Sequence, residues 1–474
     1  MRNRFFFLVL AVVVSSLQGF AATTSGTCHA VGPTSAGSGD GSSWTNHMKL
    51  PSTLVRGDIY YLMDGSYGSY TFSNGSGTST ITLKKAQGYD FGRSSDGCLN
   101  DISAGWSASS MGSGQAVFSS ITPSTSNWVI DGNGQSTNPG CGSAPNNGAA
   151  ASDCGFKFGP GSSSNDWPVL LSPSGTGALS NGTIRYAEVP GANVAVNEED
   201  DFMCWGSCNS YLLDHIYTYN SGCVFFKIQS TSGFTVSNSY IWKNTDTTSC
   251  HGQMWLQQGA TSNVDFHSNV IRDITGTGVW VAVTGGTMSN WLVYDNVIWH
   301  SNGNSTFGLS NGIMAAVNSG SKASNVQFIG NTIVNETQGF TSGWNFENTG
   351  SSLTVENNLY YNSDSVNGSG GFTLTESNNT CLNTSCGQFS SGTDVKIASG
   401  APNPFVNWAS GSFQLASQNT NWSAGLTLAA PFNLDAAGNP RPGADGTWDR
   451  GAFEYVTSTA QGPNPPTGLT ATVF

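Results

Sequence analysis

The sequence predicts an all-β protein, a single-stranded right-handed parallel β-helix with three strands per coil. Three observations predict it. Gly contributes 60 of 474 residues and only 9% are charged, a composition suited to short strands and turns rather than helices. The phrase "FHSNVIRD" at Phe266–Asp273 returns as "VYDNVIWH" at Val293–His300, "FIGNTIVN" at Phe328–Asn335 and "VENNLYYN" at Val355–Asn362. The interval between phrases varies from 25 to 35 residues while the phrase survives, so one structural rung repeats with variable loops.

Each rung reads as three short segments. Apolar pairs two apart come first: Phe234 and Val236, Val264 and Phe266, Trp291 and Val293, Val326 and Phe328, Leu353 and Val355. Period-two alternation puts both members of each pair inside. A bend follows, with Asn269, Asn296, Asn331 and Asn358 in one register and Asp214 and Ser239 expected in the same place. Asparagine tolerates the left-handed backbone and bonds nearby backbone groups, which suits a stacked bend. A second strand begins at an anchor residue, expected at Ile184, Ile216, Ile241, Ile271, Ile298, Ile333 and Tyr360. The third strand is read in "CVFFKIQ", "GQMWLQQ", "GVWVAVTG", "NGIMAAVN", "SGWNFEN" and "GGFTLTE", with Phe226, Leu256, Val281, Ala315, Phe346 and Leu374 expected inside.

Along the chain, residues 1–21 read as a secretory signal peptide: two arginines, an apolar run from Phe5 to Val14, then small residues. Residues 22–55 read as an N-terminal cap, 56–398 as the β-helix, 399–456 as C-terminal rungs and a closing segment, and 457–474 as a Pro-rich tail. No later stretch is apolar enough to span a membrane. The ten cysteines then belong to an oxidising compartment, with local pairs expected at Cys141 and Cys154, Cys204 and Cys208, and Cys381 and Cys386. Cys223 with Cys250 and Cys28 with Cys98 would complete the set. A formal charge of −13 without a basic run argues against nucleic acid as a partner. The expected partner is a polysaccharide and the expected state a monomer.

The stretches "RGDIYYLMDGSYGSYTF" at Arg56 and "GTSTITLKKA" at Gly77 resemble the opening rungs of secreted right-handed β-helix proteins, among them the alginate-lyase and chondroitinase B-like polysaccharide lyases. "FNLDAAGNPRPGADGTWDRGAFEY" at Phe432 is similar to the closing segment of bacterial proteins with this fold. The resemblance implies that the outside of one sheet binds sugar, which makes Trp255 and Trp280, read as outward, candidate platforms for pyranose rings. The Lys-x-x-x-Arg pattern of the alginate-lyase relatives is not visible.

Ionisable side chains concentrate between residues 185 and 300, where four of the six histidines fall. β-Elimination at a uronic acid needs a partner for the sugar carboxylate, a base, and a proton for the leaving oxygen. Lys227, Lys243, His251 and Arg272 are the candidate bases and charge partners, Asp246 a substrate contact, and Glu199, Asp200 and Asp201 candidate ligands for Ca2+. A glycoside hydrolase using Asp200, Asp201 and Asp246, and a non-catalytic glycan-binding solenoid, are the alternative readings. A column Arg185, Tyr217, Trp242, Arg272, Trp299, Val334 and Tyr361 is read as outward, with arginine between tryptophans as a cation–π stack.

Overall fold

A computed structural model describes residues 26–141, 153–160, 167–192, 199–244, 252–274, 276–301, 312–336, 344–363 and 368–456. Among them the chain is all-β, with one four-residue helix at Ala108–Met111. Its strands pair in parallel with strands one turn of chain away, and one small antiparallel pair joins Phe405–Asn407 to Ser412–Leu415. Long parallel ladders of sequence-distant strands, stacked about 4.8 Å apart, make a parallel β-helix.

The first ladder begins at Cys28–Gly32, inside the segment read as a cap. It continues through Ile59–Leu62, Ile81–Lys85, Trp128–Asp131 and the front of Gly182–Pro190. It then runs through the front of Tyr211–Ser221, the end of Val224–Ser237, Ala260–His267, Thr287–Tyr294, Lys322–Ile329 and the end of Trp344–Glu356. Tyr240–Asn244, Val270–Arg272, Val297–Trp299, Thr332–Val334, Leu359–Tyr361 and Thr380–Leu382 form the second ladder. Asp200–Asn209, the front of Val224–Ser237, Trp255–Gln257, Trp280–Ala282 and Met314–Ala316 belong to the third.

The alternating pairs of the first strand all point inward, and Val264, Phe266, Trp291, Val293, Val326 and Phe328 join one continuous core. At the following bend the backbone turns left-handed at Asn238, Ser268, Asp295 and Asn357. The next residue in each rung forms a buried asparagine ladder. Asn269 Nδ2 donates to Asn296 Oδ1 (2.9 Å), Asn296 to Asn331 (3.0 Å), Asn331 to Asn358 (3.1 Å) and Asn358 to Asn379 (3.0 Å). Each amide also donates to a backbone carbonyl of the preceding rung, as Asn269 does to Val236 O and Asn331 to Val293 O. Ser239 begins this column, donating its backbone N–H to Asn269 Oδ1. Asp214 does not belong to it and faces outward, one correction to the sequence reading.

Two of the expected anchors also fall elsewhere. Ile184 pairs with Ile130 and Leu213 in the first ladder, and Ile216 sits at the bend, so Thr218 rather than Ile216 stands beside Ile241. The rungs of Ile184 and Ile216 lack the asparagine that marks the bend, and an isoleucine on either side of it then looks alike. The outward column of the second ladder is therefore Tyr219, Trp242, Arg272, Trp299, Val334 and Tyr361, without Arg185 and Tyr217.

On the third strand Phe226 and Phe346 are inside as expected, but the register is off by one residue at Leu256, Val281 and Ala315. Trp255 and Trp280 are 0% exposed and pack in the core, while Leu256 is half-buried on the other side. Val281 and Ala315 pack with Val317 in a separate apolar patch. Period-two alternation makes every side chain change face when register slips by one. The runs "QMWLQ" and "VWVAV" are apolar at both parities, and the larger indoles take the interior. Leu374 pairs with Leu353 in the first ladder, not the third.

Four disulfides are present as expected: Cys28–Cys98, Cys141–Cys154, Cys204–Cys208 and Cys381–Cys386. Cys250 lies outside the described residues. The C-terminal segment does not extend the ladders. Its Phe405, Phe413, Leu415 and Trp422 cover Trp299, Val334, Leu359 and Tyr361 on the outside of the second ladder. No helix among the described residues is long and apolar enough to cross a membrane.

Candidate functional site

The side chain that follows the second inward residue of each first-ladder strand points outward. Strand pairing aligns these as one column: Lys84, Asp131, Arg185, Asp214, Ser237, His267 and Tyr294. Consecutive rungs thus present a cation, an anion, a cation, an anion, a hydroxyl, an imidazole and a phenol. Asp265 stands two residues before His267 on the same side, about 7 Å away by the rise of a strand.

Each group is held. Lys84 is ion-paired with Asp90. Arg185 Nη2 donates to Asp131 Oδ2 at 2.7 Å, and its Nε has no hydrogen-bond partner among the described residues. Asp214 accepts from Ser237 Oγ (2.7 Å), Asn238 Nδ2 (2.9 Å) and, through its other oxygen, His215 Nδ1 (2.8 Å). Although burial opposes it, these bonds, that from His215 foremost, hold the Asp214 carboxyl below the usual range and keep it ionised.

The bend at this level is unusual. Other rungs place Asn, Ser, Asp or Gly at the left-handed position, but here it is taken by Tyr186 (φ 53°) and His215 (φ 51°). Bulky residues there carry strain of about 1 kcal/mol or more. Their rings stack at 4.6 Å, and the Tyr186 hydroxyl donates to Ser136 O at 3.2 Å. Burial pushes the Tyr186 hydroxyl up to about 12.

Two rungs further on the protonation states reverse. Asp265 is half-buried, its Oδ1 has no hydrogen-bond partner among the described residues, and burial pushes its carboxyl up to about 7. Burial lowers His267 to about 4, with the Asp214 charge acting the other way. His267 is therefore neutral at physiological pH while Asp265 is protonated in part. The imidazole stacks on Tyr294 at 4.9 Å, and Phe432 of the C-terminal segment meets Tyr294 edge-on at 5.3 Å, closing that end of the row.

The residues singled out from sequence are dispersed. Lys227 is only 8% exposed; its Nζ lies 3.5 Å from Asp200 Oδ2 and 5.5 Å from the Trp205 ring, on the third ladder. Arg272 lies between Trp242 (5.1 Å) and Trp299 (4.6 Å) and donates to Asp273 at 2.9 Å, which makes it the cation–π stack on the second ladder and leaves it little freedom as a base. Lys243 is half-buried at a left-handed backbone position (φ 57°) near the end of its second-ladder strand. Asp246 and His251 lie outside the described residues. Trp255 and Trp280 are core residues, so neither is a sugar platform.

Glu199, Asp200 and Asp201 are fully buried and turned to different partners: Glu199 accepts from Gly222 N, Asp201 from Thr218 Oγ1, and Asp200 faces Lys227. Burial and the neighbouring Glu199 push Asp201 well above the carboxylate range. Among the described residues no group of three or more His, Cys, Asp or Glu is arranged as a metal site.

Comparison with known proteins adds little. No family model matches the chain, and no curated protein matches it. Among solved structures, the chain is similar to the crystal structure of pectate lyase Pel9A, with 12% identity and a TM-score of 0.47 over 92% of this chain and 98% of that one. A likeness at that level carries no argument about activity, so the reading of the site rests on its own geometry.

Proposed function

We propose that this is an exported protein, wound as a right-handed coil of three strands per turn, that cleaves an acidic polysaccharide by β-elimination at a uronic acid along the outer face of its first ladder. The observation that carries this reading is the pair Asp265 and His267, neighbours on one face with their usual protonation states reversed. Groups displaced in opposite directions are the mark of assigned acid and base roles. Neutral His267 has a lone pair with which to take the proton beside the sugar carboxylate, and protonated Asp265 returns a proton to the leaving oxygen. Lys84 and Arg185, further along the row, are placed to meet carboxylates of neighbouring sugars, and Asp131 and Asp214 hold the row in register. The disulfides fit an oxidising compartment outside the cell.

Hydrolysis is the second reading, favoured by a specific contrast: Asp214 is held ionised while Asp265, pushed up to about 7, stays protonated in part. They lie two rungs apart along the axis and two residues apart along the strand, about 12 Å between backbone positions, wider than the roughly 6.5–9.5 Å that separates the carboxyl groups of inverting glycosidases, so this reading rests on the contrast in protonation. Incubation with alginate, pectate, glucuronan, chondroitin sulfate and ulvan, with and without calcium, separates the two. Unsaturated uronate seen by ultraviolet absorbance supports elimination; new reducing ends without that absorbance support hydrolysis. Neither product on any polymer contradicts the cleavage reading.

A further inference from the structure

A second, separate surface carries groups that the cleavage site does not use. The strand Asp200–Asn209 is interrupted by the disulfide Cys204–Cys208, which closes a loop of three residues, Trp205, Gly206 and Ser207. Strand pairing with Val224–Ser237 shifts register across this loop and resumes at Ser207 with Ser230, so the loop is an outward bulge on an intact ladder. Bulges re-aim a side chain, and here the side chain is an indole. Trp205 is half-buried, meets Trp167 edge-to-face at 5.8 Å, and has the Lys227 ammonium 5.5 Å from its ring.

The surroundings are built to hold the loop in place. A Cβ on Gly206 would come within 2.5 Å of Ser172 Oγ, so the loop lies close against the preceding rung. Hydroxyls beside the loop bond one another: Ser207 Oγ bonds Ser230 Oγ at 2.6 Å, and the buried Ser172 Oγ bonds Thr176 Oγ1 at 3.1 Å. A rigid aromatic ring with a cation against it matches a pyranose, which offers an apolar face and, in a uronic acid, a negative charge.

We propose that Trp205, with Trp167, is a second glycan-binding platform on the third ladder, apart from the cleavage row, which tethers the polymer without acting on it. The inference rests on the polysaccharide reading above for its ligand class. Affinity electrophoresis of the full chain through native gels containing alginate, pectate or chondroitin sulfate tests it, comparing wild type with Trp205→Ala, Trp205→Phe and Trp167→Ala. The expected result is that Trp205→Ala loses about tenfold in affinity, the size of one aromatic hot spot. Trp205→Phe should keep most of it, and circular dichroism should be unchanged.

Undiminished retardation of Trp205→Ala overturns the platform, as does a wild type that none of the polymers retards. Trp167→Ala leaves the disulfide loop untouched, so its loss of affinity supports the platform even if Trp205→Ala folds poorly. Running Asp265→Asn beside them separates the two claims. If that variant cleaves like wild type while Trp205→Ala loses retardation, the platform stands and the cleavage site falls.

Discussion

Two columns run along the first ladder, overlapping at the His267–Asn269 and Tyr294–Asn296 rungs, where they stand two residues apart, and they are built on opposite rules. The inner one repeats a single residue, Asn269, Asn296, Asn331, Asn358 and Asn379, each bonded to the next. The outer one changes at every rung, from Lys84 through Asp131, Arg185, Asp214 and Ser237 to His267 and Tyr294. In a stacked fold a uniform column satisfies buried backbone groups with one solution used repeatedly, which gives stability. A column of different ionisable groups gains little from repetition, because exposed ion pairs contribute about 0–1 kcal/mol. Its variety points to chemistry.

The interior is expected to be the most sensitive. Trp255→Ala should lower unfolding free energy by about 3–5 kcal/mol, the cost of a large core cavity, read from guanidinium midpoints; a change within error would return that indole to the surface. The uniform column comes next. Asn331→Ala removes bonds to Val293 O and Asn358 Oδ1 and takes away the acceptor of the Asn296 backbone N–H, a loss of about 2–4 kcal/mol. Activity per folded molecule should not change, and a large loss of turnover would break the division between the columns.

The outer column should respond to pH instead. Burial raises Asp265 from 3.8 to about 7, so its contribution to stability is full below 3.8 and is lost as pH rises through about 7. His267 is lowered from 6.5 to about 4, so its contribution is full above 6.5 and is lost as pH falls through about 4. Between about 4 and 6.5 the two slopes oppose each other. Asp265→Asn should therefore leave a curve that rises with pH across this interval, and His267→Gln one that falls. Parallel curves for both variants would contradict the opposed shifts. The smallest effect concerns the strained bend: His215→Asn replaces a bulky left-handed residue by one that tolerates that backbone, and thermal denaturation should show a gain of up to about 1 kcal/mol.

Much of the fold was legible because core positions recur. Phe234 with Val236 and Val264 with Phe266 fix the inner face of the first strand, and Asn269 to Asn358 fix the bend. Legibility failed where that signal was missing. In the rungs of Ile184 and Ile216 no asparagine marks the bend, so Ile184 before it and Ile216 within it resemble the anchor that follows it. In the third strand Trp255 and Leu256 are both apolar, so alternation could not choose between them. The site was within reach: His267 directly follows Phe266, as Asp214 follows Leu213 and Arg185 follows Ile184. Reading that one position down the rungs exposes the row. Asp265 was not legible as a displaced acid, because its shift comes from burial that only the packed structure creates.

The most direct test of the central claim is the initial rate of unsaturated uronate formation on the polymer that wild type cleaves, measured for His267→Ala and Asp265→Asn with folded protein matched by circular dichroism. The account predicts a fall of about 100-fold or more for each, the usual contribution of a positioned acid or base, while Lys227→Ala and Arg272→Ala lose no more than their effect on folding explains. Full rates in both first-ladder variants, with the loss in Lys227→Ala or Arg272→Ala instead, would contradict it and move the chemistry to another face of the helix.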